Sequence, residues 1–218
     1  MFKVYKPEDL PKTLPLFPLS GVMLLPRMQF PLSMEEPHAL SMVDDALKGD
    51  RMIGIIQPKN TEGRTPPLYA TGTAGRITAL DETDEGKYMI GVTGVCRFHV
   101  IQEIPTARDY RLGEVDYADY LEDLRVPEPY HFQRRTLINQ LREFFGGQGI
   151  SVDWDAVGRT PDALLVNSLA VICPFDVPEK QALLESATVE KRLETLQTIL
   201  TFANTPGDNV GGVQRVLN

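Results

Sequence analysis

The chain has 218 residues, which is enough for one large domain or two small ones with a core that needs no metal or disulfide support. Its hydrophobic fraction of 42% and charged fraction of 24% are those of ordinary globular proteins and exclude global disorder. The formal net charge of −8 disfavours a broad phosphate-binding surface, so nucleic acid is not the expected partner.

The first 125 residues have the patterns of a β unit with one helix. Pro15, Pro18 and Pro26 interrupt an apolar stretch, and because proline donates no ladder hydrogen bond, these segments suit edge strands and turns. Leucine and valine recur at helical spacing before Gly49, which predicts a helix that ends there. The predicted elements, after an arm over 1–12, are a short strand over 28–30, a helix over 36–48, and strands over 51–57, 69–80, 87–100 and 110–117.

The strand predicted over 87–100 has clear alternation and forms a hairpin with the strand before it. Val92, Cys96 and Phe98 fall on one face, which we expect to point inward, and Arg97 falls on the other, which we expect to point outward. The acidic turn over 81–86 is the expected solvated tip of this hairpin.

The pattern becomes helical after a proline pair near residue 126. Gly146-Gly147 is expected to end the first helix in the left-handed conformation, and Thr160 to cap the second. Asp176 with Glu179 predicts a capping box, and Thr188 is expected to cap the last helix. The predicted units are a β unit over 1–125, a helical unit over 126–203 and a flexible tail over 204–218.

No catalytic, cofactor or metal motif is found in the chain. It contains neither a Walker A loop nor a Gly-x-Ser-x-Gly nucleophile turn, and its three histidines have no metal-ligand spacing. Cys96 and Cys173 fall at apolar positions and are expected in the core, with a reactive thiol as the alternative. Gly72 and Gly75 predict a bulge or a close backbone approach in place of a phosphate loop.

Several sequence blocks, in their order and spacing, resemble the amino-terminal domain of Lon proteases. The blocks are Leu-Pro-Leu-Phe-Pro-Leu over 14–19, Pro31-Leu32, Glu36-Pro37, Leu-Tyr-Ala-Thr-Gly-Thr over 68–73, Gly-Val-Cys-Arg-Phe over 94–98, Asn-Ser-Leu-Ala over 167–170, Lys-Gln-Ala-Leu-Leu-Glu over 180–185 and Arg192-Leu193. The resemblance implies an α+β protein with a PUA-like β-barrel or pseudobarrel, of the pseudouridine-synthase and archaeosine-transglycosylase type, followed by a helical bundle. It also implies a stand-alone recognition domain without ATPase or protease modules.

The chain departs from the pattern of this family in two places. Where family members commonly have Phe-Glu-Pro-Arg-Tyr, residues 35–39 read Glu-Glu-Pro-His-Ala, which suggests a different partner preference. The last predicted helix also ends close to the last residue of the sequence, instead of extending toward an ATPase ring.

The proline- and methionine-rich segment over 16–34 is the best candidate for a partner-binding surface. Methionine is flexible and polarizable, so it adapts to varied apolar partners. The alternative is that these side chains fill the barrel core, and Arg97 likewise has a structural and a ligand-contacting interpretation. The candidate partner-binding residues are Met23, Leu25, Met28, Phe30, Met34, Glu36 and Arg97.

Three functional hypotheses follow from these observations. The first is a non-catalytic module that binds unfolded proteins, specific proteins or peptides through apolar segments, as an adaptor or holdase, partly in a groove between barrel and bundle. The second is an RNA-binding module, which the acidic composition and the lack of an aromatic and basic strand face disfavour. The third is an enzyme with Cys96 or a carboxylate as its reactive group. No signal peptide or membrane span is found, so a cytoplasmic location is expected, and the sequence leaves the oligomeric state open.

Overall fold

A computed structural model describes residues 4–63 and 65–205, and the predicted tail lies almost wholly outside this range. The strand predictions are confirmed within a few residues at each end. The six strands are β1 (Thr13–Pro18), β2 (Gln29–Met34), β3 (Met52–Pro58), β4 (Leu68–Glu82), β5 (Tyr88–Glu103) and β6 (Arg111–Asp116). The arm contains a short 3₁₀ helix, Pro7–Asp9, and a second 3₁₀ segment, Ala118–Leu124, follows β6.

The long strand β5 organises the sheet and closes it into a barrel. The strand order is β2-β5-β4-β3-β1-β6, and β6 also pairs with the end of β5. The pair β1–β3 is parallel and every other pair is antiparallel. β2 pairs only with the first half of β5 and forms an outer edge, where Pro31 withholds a donor from any further strand.

Six α-helices complete the described fold, and most of the predicted helix signals are confirmed. The helices are α1 (Pro37–Lys48), α2 (Arg134–Gly147), α3 (Trp154–Arg159), α4 (Asp162–Ile172), α5 (Val177–Glu185) and α6 (Val189–Asn204). Asp176 and Glu179 form the predicted capping box of α5, and the Thr188 hydroxyl accepts a hydrogen bond from the Lys191 amide at the start of α6. Within the described residues, no helix is long and apolar enough to cross a membrane.

Three details of the helical half differ from the predictions. Gly146 and Gly147 continue α2, and the left-handed turn comes two residues later at Gly149, where φ is 68°. The Ile150 amide then donates to the Phe145 carbonyl at 3.0 Å, closing the helix in a Schellman arrangement. The short helix α3 was not predicted, and the Thr160 hydroxyl donates back to its Ala156 carbonyl instead of capping α4.

The predicted boundary near residue 126 falls in segment 125–133, which has neither helix nor strand, and the two-unit division stays a prediction. The hydrophobic core nevertheless crosses it. One buried cluster lies among the helices, a second joins α1 to the barrel, and a third fills the rest of the barrel. Met23 and Leu25, from the loop between β1 and β2, belong to the helical cluster. The loop therefore ties the helical half to the β half.

Glycines allow chain segments to approach closely around β5. A Cβ on Gly72 would lie 2.7 Å from both the Ile55 carbonyl oxygen and the Phe98 ring, which confirms the predicted close approach. A Cβ on Gly94 would overlap the carbonyl group of Leu25. The loop after β1 crosses β5 at this point, where the Gly94 carbonyl accepts from the Arg27 amide at 2.8 Å. The glycine of the Gly-Val-Cys-Arg-Phe block is thus required by packing.

Gly94→Ala is expected to lower the free energy of unfolding by about 1–3 kcal/mol, because β5 or the crossing loop must move to admit the methyl group. Gly146→Ala is the matched control, since nothing lies within 4 Å of its added Cβ in α2. That control should stabilise the protein by about 0.5–1 kcal/mol through helix propensity. Urea unfolding of both variants measures the difference, and equal midpoints would contradict the packing argument.

Candidate functional site

The structure separates the seven predicted partner-binding residues into different environments. Met23, Leu25 and Met34 are buried, but only Met34 lies in the barrel core that the alternative interpretation named, because Met23 and Leu25 belong to the helical cluster. Met28 and Phe30 are half-buried and pack against core clusters, while Glu36 is exposed at the N-cap of α1. The segment 16–34 is therefore not one continuous apolar surface, because alternate residues of its strands point into the barrel and Met23 and Leu25 of its loop pack among the helices.

Arg97 lies on the outer face of β5, as predicted, but other segments cover that face and bury the side chain. Arg97 is only 3% exposed, and its guanidinium and amide hydrogen-bond both carboxylate oxygens of Asp123 at 2.8–3.0 Å. Asp123 belongs to the 3₁₀ segment Ala118–Leu124, which lies over this face. The guanidinium carbon also lies 4.4 Å from the ring centre of Tyr120 in the same segment. Arg97 thus lies outside the barrel wall but is buried beneath this segment.

Arg97 also binds the helical half at the end of α5. Its Nη1 donates to the carbonyls of Leu184 at 2.9 Å and Ser186 at 2.6 Å, and its Nη2 donates to that of Ala187 at 3.2 Å. Arg192, which is 4% exposed, donates to the same Ser186 carbonyl from α6 at 3.1 Å. The two arginines satisfy the carbonyl groups that α5 leaves unpaired at its end. Arg97 is therefore part of the joint between barrel and bundle.

A buried amide pair fills another part of the same joint. The Gln57 side chain donates to the Gln181 side chain at 3.0 Å, and Gln181 donates to the Thr71 carbonyl at 3.1 Å. Both glutamines are at most 2% exposed. At these positions, packed side chains occupy the groove that was expected between barrel and bundle. Buried amide groups need hydrogen-bond partners, and here the barrel and the bundle supply them to each other.

A surface groove of about 700 Å³ lies instead at the amino-terminal end of α1. We call it the α1 groove. The ends of β1 and β2, the first turns of α1, and the segments 65–66 and 109–111 enclose it. Met34, Met42 and Leu16 are buried beneath it, whereas Phe17 and Leu19 are half-buried and present apolar surface. Two of the predicted site residues, Met34 and Glu36, meet in this groove.

Carboxylates dominate the rim of the α1 groove. Glu35, Glu36 and Asp109 are all exposed on it. Glu35 lies 3.3 Å from Lys87, and Glu36 lies 3.2 Å from His38. The hydrogen bonds that Lys87 donates to Glu85 and then to Glu35 raise the pKa of the lysine above its ordinary value, so it stays charged at neutral pH. The remaining carboxylates give the rim an acidic character.

Among the residues that the structure describes, the arginine that lines the α1 groove is Arg111, and it has a carboxylate partner. Arg111 donates to Glu103 through Nε at 2.7 Å and to the Pro66 carbonyl through Nη1 at 2.7 Å. Its hydrogen bond lowers the pKa of the Glu103 carboxyl below the ordinary value, so Glu103 remains ionised and compensates the arginine. The groove therefore combines an apolar floor with a negative rim.

Sequence reasoning missed most of this groove. Phe17, Pro66 and Tyr110 were not proposed as site residues, although Phe17 lies in the Leu-Pro-Leu-Phe-Pro-Leu block. This block could have indicated the groove, because it leaves Phe17 and Leu19 partly outside the core. Nothing in the local sequence around Pro66 or Tyr110 indicates that they approach β1.

The thiol and imidazole groups have no arrangement that resembles a catalytic site. Burial raises the pKa of Cys96 to about 12, with a smaller contribution from Asp123, and burial raises that of Cys173 to about 12. His99 hydrogen-bonds Thr71 at 3.1 Å, and His131 is exposed beside Asp162. Across residues 4–63 and 65–205, no cluster of three histidine, cysteine or carboxylate side chains could hold a metal ion.

The barrel-and-bundle architecture occurs in solved Lon amino-terminal domains. A Lon N-terminal domain protein from Xanthomonas campestris has a TM-score of 0.60 and 22% identity, covering 85% of this chain and 97% of that chain. The N-terminal domain of the Mycobacterium avium complex Lon protease has a TM-score of 0.57 and 19% identity, covering 87% of this chain and 98% of that chain. The chain thus has the α+β fold of these domains.

Sequence comparison identifies the family. The family described as the ATP-dependent protease La (LON) substrate-binding domain matches residues 13–201, and the chain belongs to it. Lon protease 2 of Myxococcus xanthus is 26% identical over 199 residues, which are 88% of this chain and 24% of that protein. The Lon protease of Dictyoglomus thermophilum is 26% identical over 208 residues, which are 89% of this chain and 25% of that protein. The chain spans about a quarter of the length of these relatives.

Arg97→Met is expected to lower the free energy of unfolding by about 3–5 kcal/mol, because it leaves the Asp123 carboxylate buried without its cation. The matched control is Arg125→Met, whose partner Glu122 is as exposed as the arginine itself, and its unfolding midpoint should not change. Adding Asp123→Leu to Arg97→Met should recover part of the loss. Urea unfolding tests the set, and an Arg97 variant as mild as the Arg125 control would contradict the proposed joint.

Both cysteines are expected to resist thiol reagents in the folded protein at about pH 8, because a pKa near 12 and burial leave almost no accessible thiolate. Titration with a chromogenic disulfide reagent should show slow reaction in buffer and rapid reaction of both thiols in denaturant. A thiol that reacts stoichiometrically and fast in buffer would return Cys96 or Cys173 to consideration as a reactive group.

Proposed function

We propose that this chain is a non-catalytic module that binds exposed apolar segments of other proteins in the α1 groove, as an adaptor or a holdase. The observation that carries the proposal is the apolar floor and acidic rim of this groove in a member of the LON substrate-binding domain family. Such a module holds a polypeptide without changing any covalent bond. The ATPase and protease activities of the full-length relatives are outside this proposal.

The volume of the α1 groove suits side chains of an extended segment. Its volume of about 700 Å³ falls within the range of about 300–1,000 Å³ that is typical of ligand sites. Phe17 and Leu19 remain partly exposed there, and covering them with an apolar side chain would remove their surface from water. Buried methionines beneath the floor, Met34 and Met42, can adjust to side chains of different shapes.

The acidic rim selects among apolar segments. Glu35, Glu36 and Asp109 favour segments that carry lysine or arginine beside their apolar residues. Glu36 matches the glutamate that Lon relatives commonly have, but Glu35 stands where they commonly have an aromatic residue and His38 where they have a basic one. We infer that this replacement gives the chain its own preference for basic flanks. The same rim repels phosphates, which disfavours RNA as the ligand of this groove.

The first test measures the apolar contribution to binding by fluorescence anisotropy. The probe is a labelled peptide with both ends blocked, in which leucine and phenylalanine alternate with lysine. Phe17→Ala should weaken its binding at least about tenfold, because it removes a large part of the groove floor. Phe202→Ala makes the same truncation on α6, where the ring is 75% exposed and far from the groove in sequence, and binding should not change.

The contribution of the rim is tested with charge-removing variants. Glu35→Gln combined with Glu36→Gln should weaken binding of the lysine-flanked peptide and reduce the salt dependence of that binding. Glu143→Gln combined with Glu190→Gln removes two exposed carboxylates from the helical half and is the matched control. If the blocked peptide fails to bind at micromolar concentration, or if a structured RNA competes for the groove, the proposed function is wrong.

A further inference from the structure

A second cavity, of about 600 Å³, lies on the outer face of the sheet, away from the α1 groove. We call it the arginine cleft. Its floor is one row of cross-strand neighbours, in which Gln29 of β2 is paired with Thr93 of β5, and Thr93 with Arg76 of β4. Arg27 lines it from the loop before β2. The arm near Val4 and the segment around Val126 form its walls.

The two arginines in this cleft have no carboxylate partner among the residues that the structure describes. Arg27 donates through Nη2 to the carbonyls of Leu124, at 3.3 Å, and Arg125. Arg76 makes one long contact, 3.4 Å, to the Asp50 carbonyl. The Nε of both arginines and the remaining Nη groups are therefore available as donors. In a chain with a net charge of −8, two uncompensated guanidinium groups in one cavity require an explanation.

The carboxylate of Asp123, the only one among the described residues that line the arginine cleft, does not neutralise these arginines. Asp123 lines the cavity, but its Oδ1 and Oδ2 both accept hydrogen bonds from Arg97. The cation of that pair also donates to the Leu184 carbonyl in the joint with α5. Arg27 and Arg76 thus place two cations without a carboxylate partner among the described residues in this cleft, although the protein as a whole is acidic.

The backbone holds Arg27 at the cleft in a conformation that costs free energy. Its φ of 67° lies in the left-handed region, which a residue with a Cβ rarely adopts. The Arg27 amide donates to the Gly94 carbonyl at 2.8 Å, and Gly94 must be glycine because the Leu25 carbonyl lies against it. Strained residues of this kind concentrate at ligand sites, because the surrounding structure enforces them there.

The rest of the cleft offers polar groups on its floor and apolar surface on its walls. The Thr78 hydroxyl lies 3.1 Å from the Gly91 carbonyl and 3.3 Å from the Thr93 hydroxyl, and Gln29 is exposed beside them. Val4 and Val126 are each 74% exposed on the walls. A matching ligand has an anionic group and hydrogen-bonding amides, together with an apolar side chain.

We propose that the arginine cleft binds the carboxyl-terminal end of a polypeptide whose last residues are apolar. Arg27 and Arg76 bind the terminal carboxylate, for which guanidinium groups provide charge-assisted hydrogen bonds. The floor contacts the last peptide groups, and Val126 with Val4 covers the apolar side chains. This inference rests on the proposed function for the class of ligand, a polypeptide, but it uses a different site and a different chemical group.

The test compares two labelled peptides that differ in one group. Both end in valine and leucine, one with a free carboxylate and the other with an amide, and both carry the dye at the amino end. Fluorescence anisotropy should show the free acid binding at least about tenfold more tightly. Equal affinity would overturn the proposal. A third peptide, amidated but ending in aspartate, separates a side-chain carboxylate from a terminal one, and binding equal to that of the free acid would also overturn it.

Variants then identify the site of binding. Arg76→Gln and Arg27→Gln should each lower the affinity for the free-acid peptide about tenfold and leave the affinity for the amidated peptide unchanged. Arg135→Gln removes the same charge from an exposed position on α2 and should change neither affinity. If the unusual backbone of Arg27 makes its variant unstable in urea, Arg76→Gln decides the question alone. If Arg135→Gln weakens binding of the free-acid peptide as much as the cleft variants do, the assignment of the site is wrong.

The blocked, lysine-flanked peptide keeps this test independent of the proposed function. Its binding should be unaffected by Arg76→Gln, since both its ends are capped and its site is the α1 groove. If it binds and the free acid shows no preference, the arginine cleft alone is refuted. If it does not bind while the free acid does, the groove proposal fails and the cleft stands.

Discussion

The buried ion pair between Arg97 and Asp123 is the interaction on which the rest of this structure depends. It lies where the barrel, the 3₁₀ segment Ala118–Leu124 and the end of α5 meet, and its donors reach all three. A charge placed there is costly unless every donor and acceptor is satisfied, and Arg97 satisfies them with the carboxylate and with carbonyls of 184–187. These directional bonds, together with the packing of Met23 and Leu25 in the helical cluster, hold barrel and bundle in place.

The same region determines what remains available on the surface. The 3₁₀ segment covers Arg97, and the end of that segment lines the arginine cleft. Asp123 of this segment accepts hydrogen bonds from Arg97 and does not pair with the arginines of the cleft. Gly94, in the same sequence block, lets the loop after β1 cross β5 and holds Arg27 at the cleft. The block that identifies the family thus contributes to the core on one side and to a cavity on the other.

The α1 groove and the arginine cleft have opposite electrostatic character, although both lie on the β half. One has a rim of carboxylates around partly exposed Phe17, and the other has arginines without carboxylate partners. A polypeptide presents both kinds of feature, internal basic residues beside apolar ones and one carboxylate at its end. Two sites with different requirements give a binding module more selectivity than a single apolar surface can provide, because apolar contacts alone discriminate poorly between sequences.

Local signals were sufficient to predict the strands, most helices and the capping box of α5. These depend on periodicity and on residues a few positions apart, which the sequence displays directly. The left-handed glycine that ends α2 was predicted, but two residues too early in the chain. Glycine permits a left-handed turn without requiring it at a particular position. The short α3 was missed, since one and a half turns give too little periodicity to recognise.

The sequence by itself determined the family, the α+β fold class and which residues alternate inward on β5. Only the tertiary structure decided that Arg97 is buried, that Met23 and Leu25 belong to the helical core, and that Phe17 meets Glu36 in one groove. The physical reason is that strand alternation fixes the side of the sheet on which a residue lies, but not what covers that side. Coverage comes from segments far apart in the chain, whose approach is set by packing and by buried hydrogen bonds.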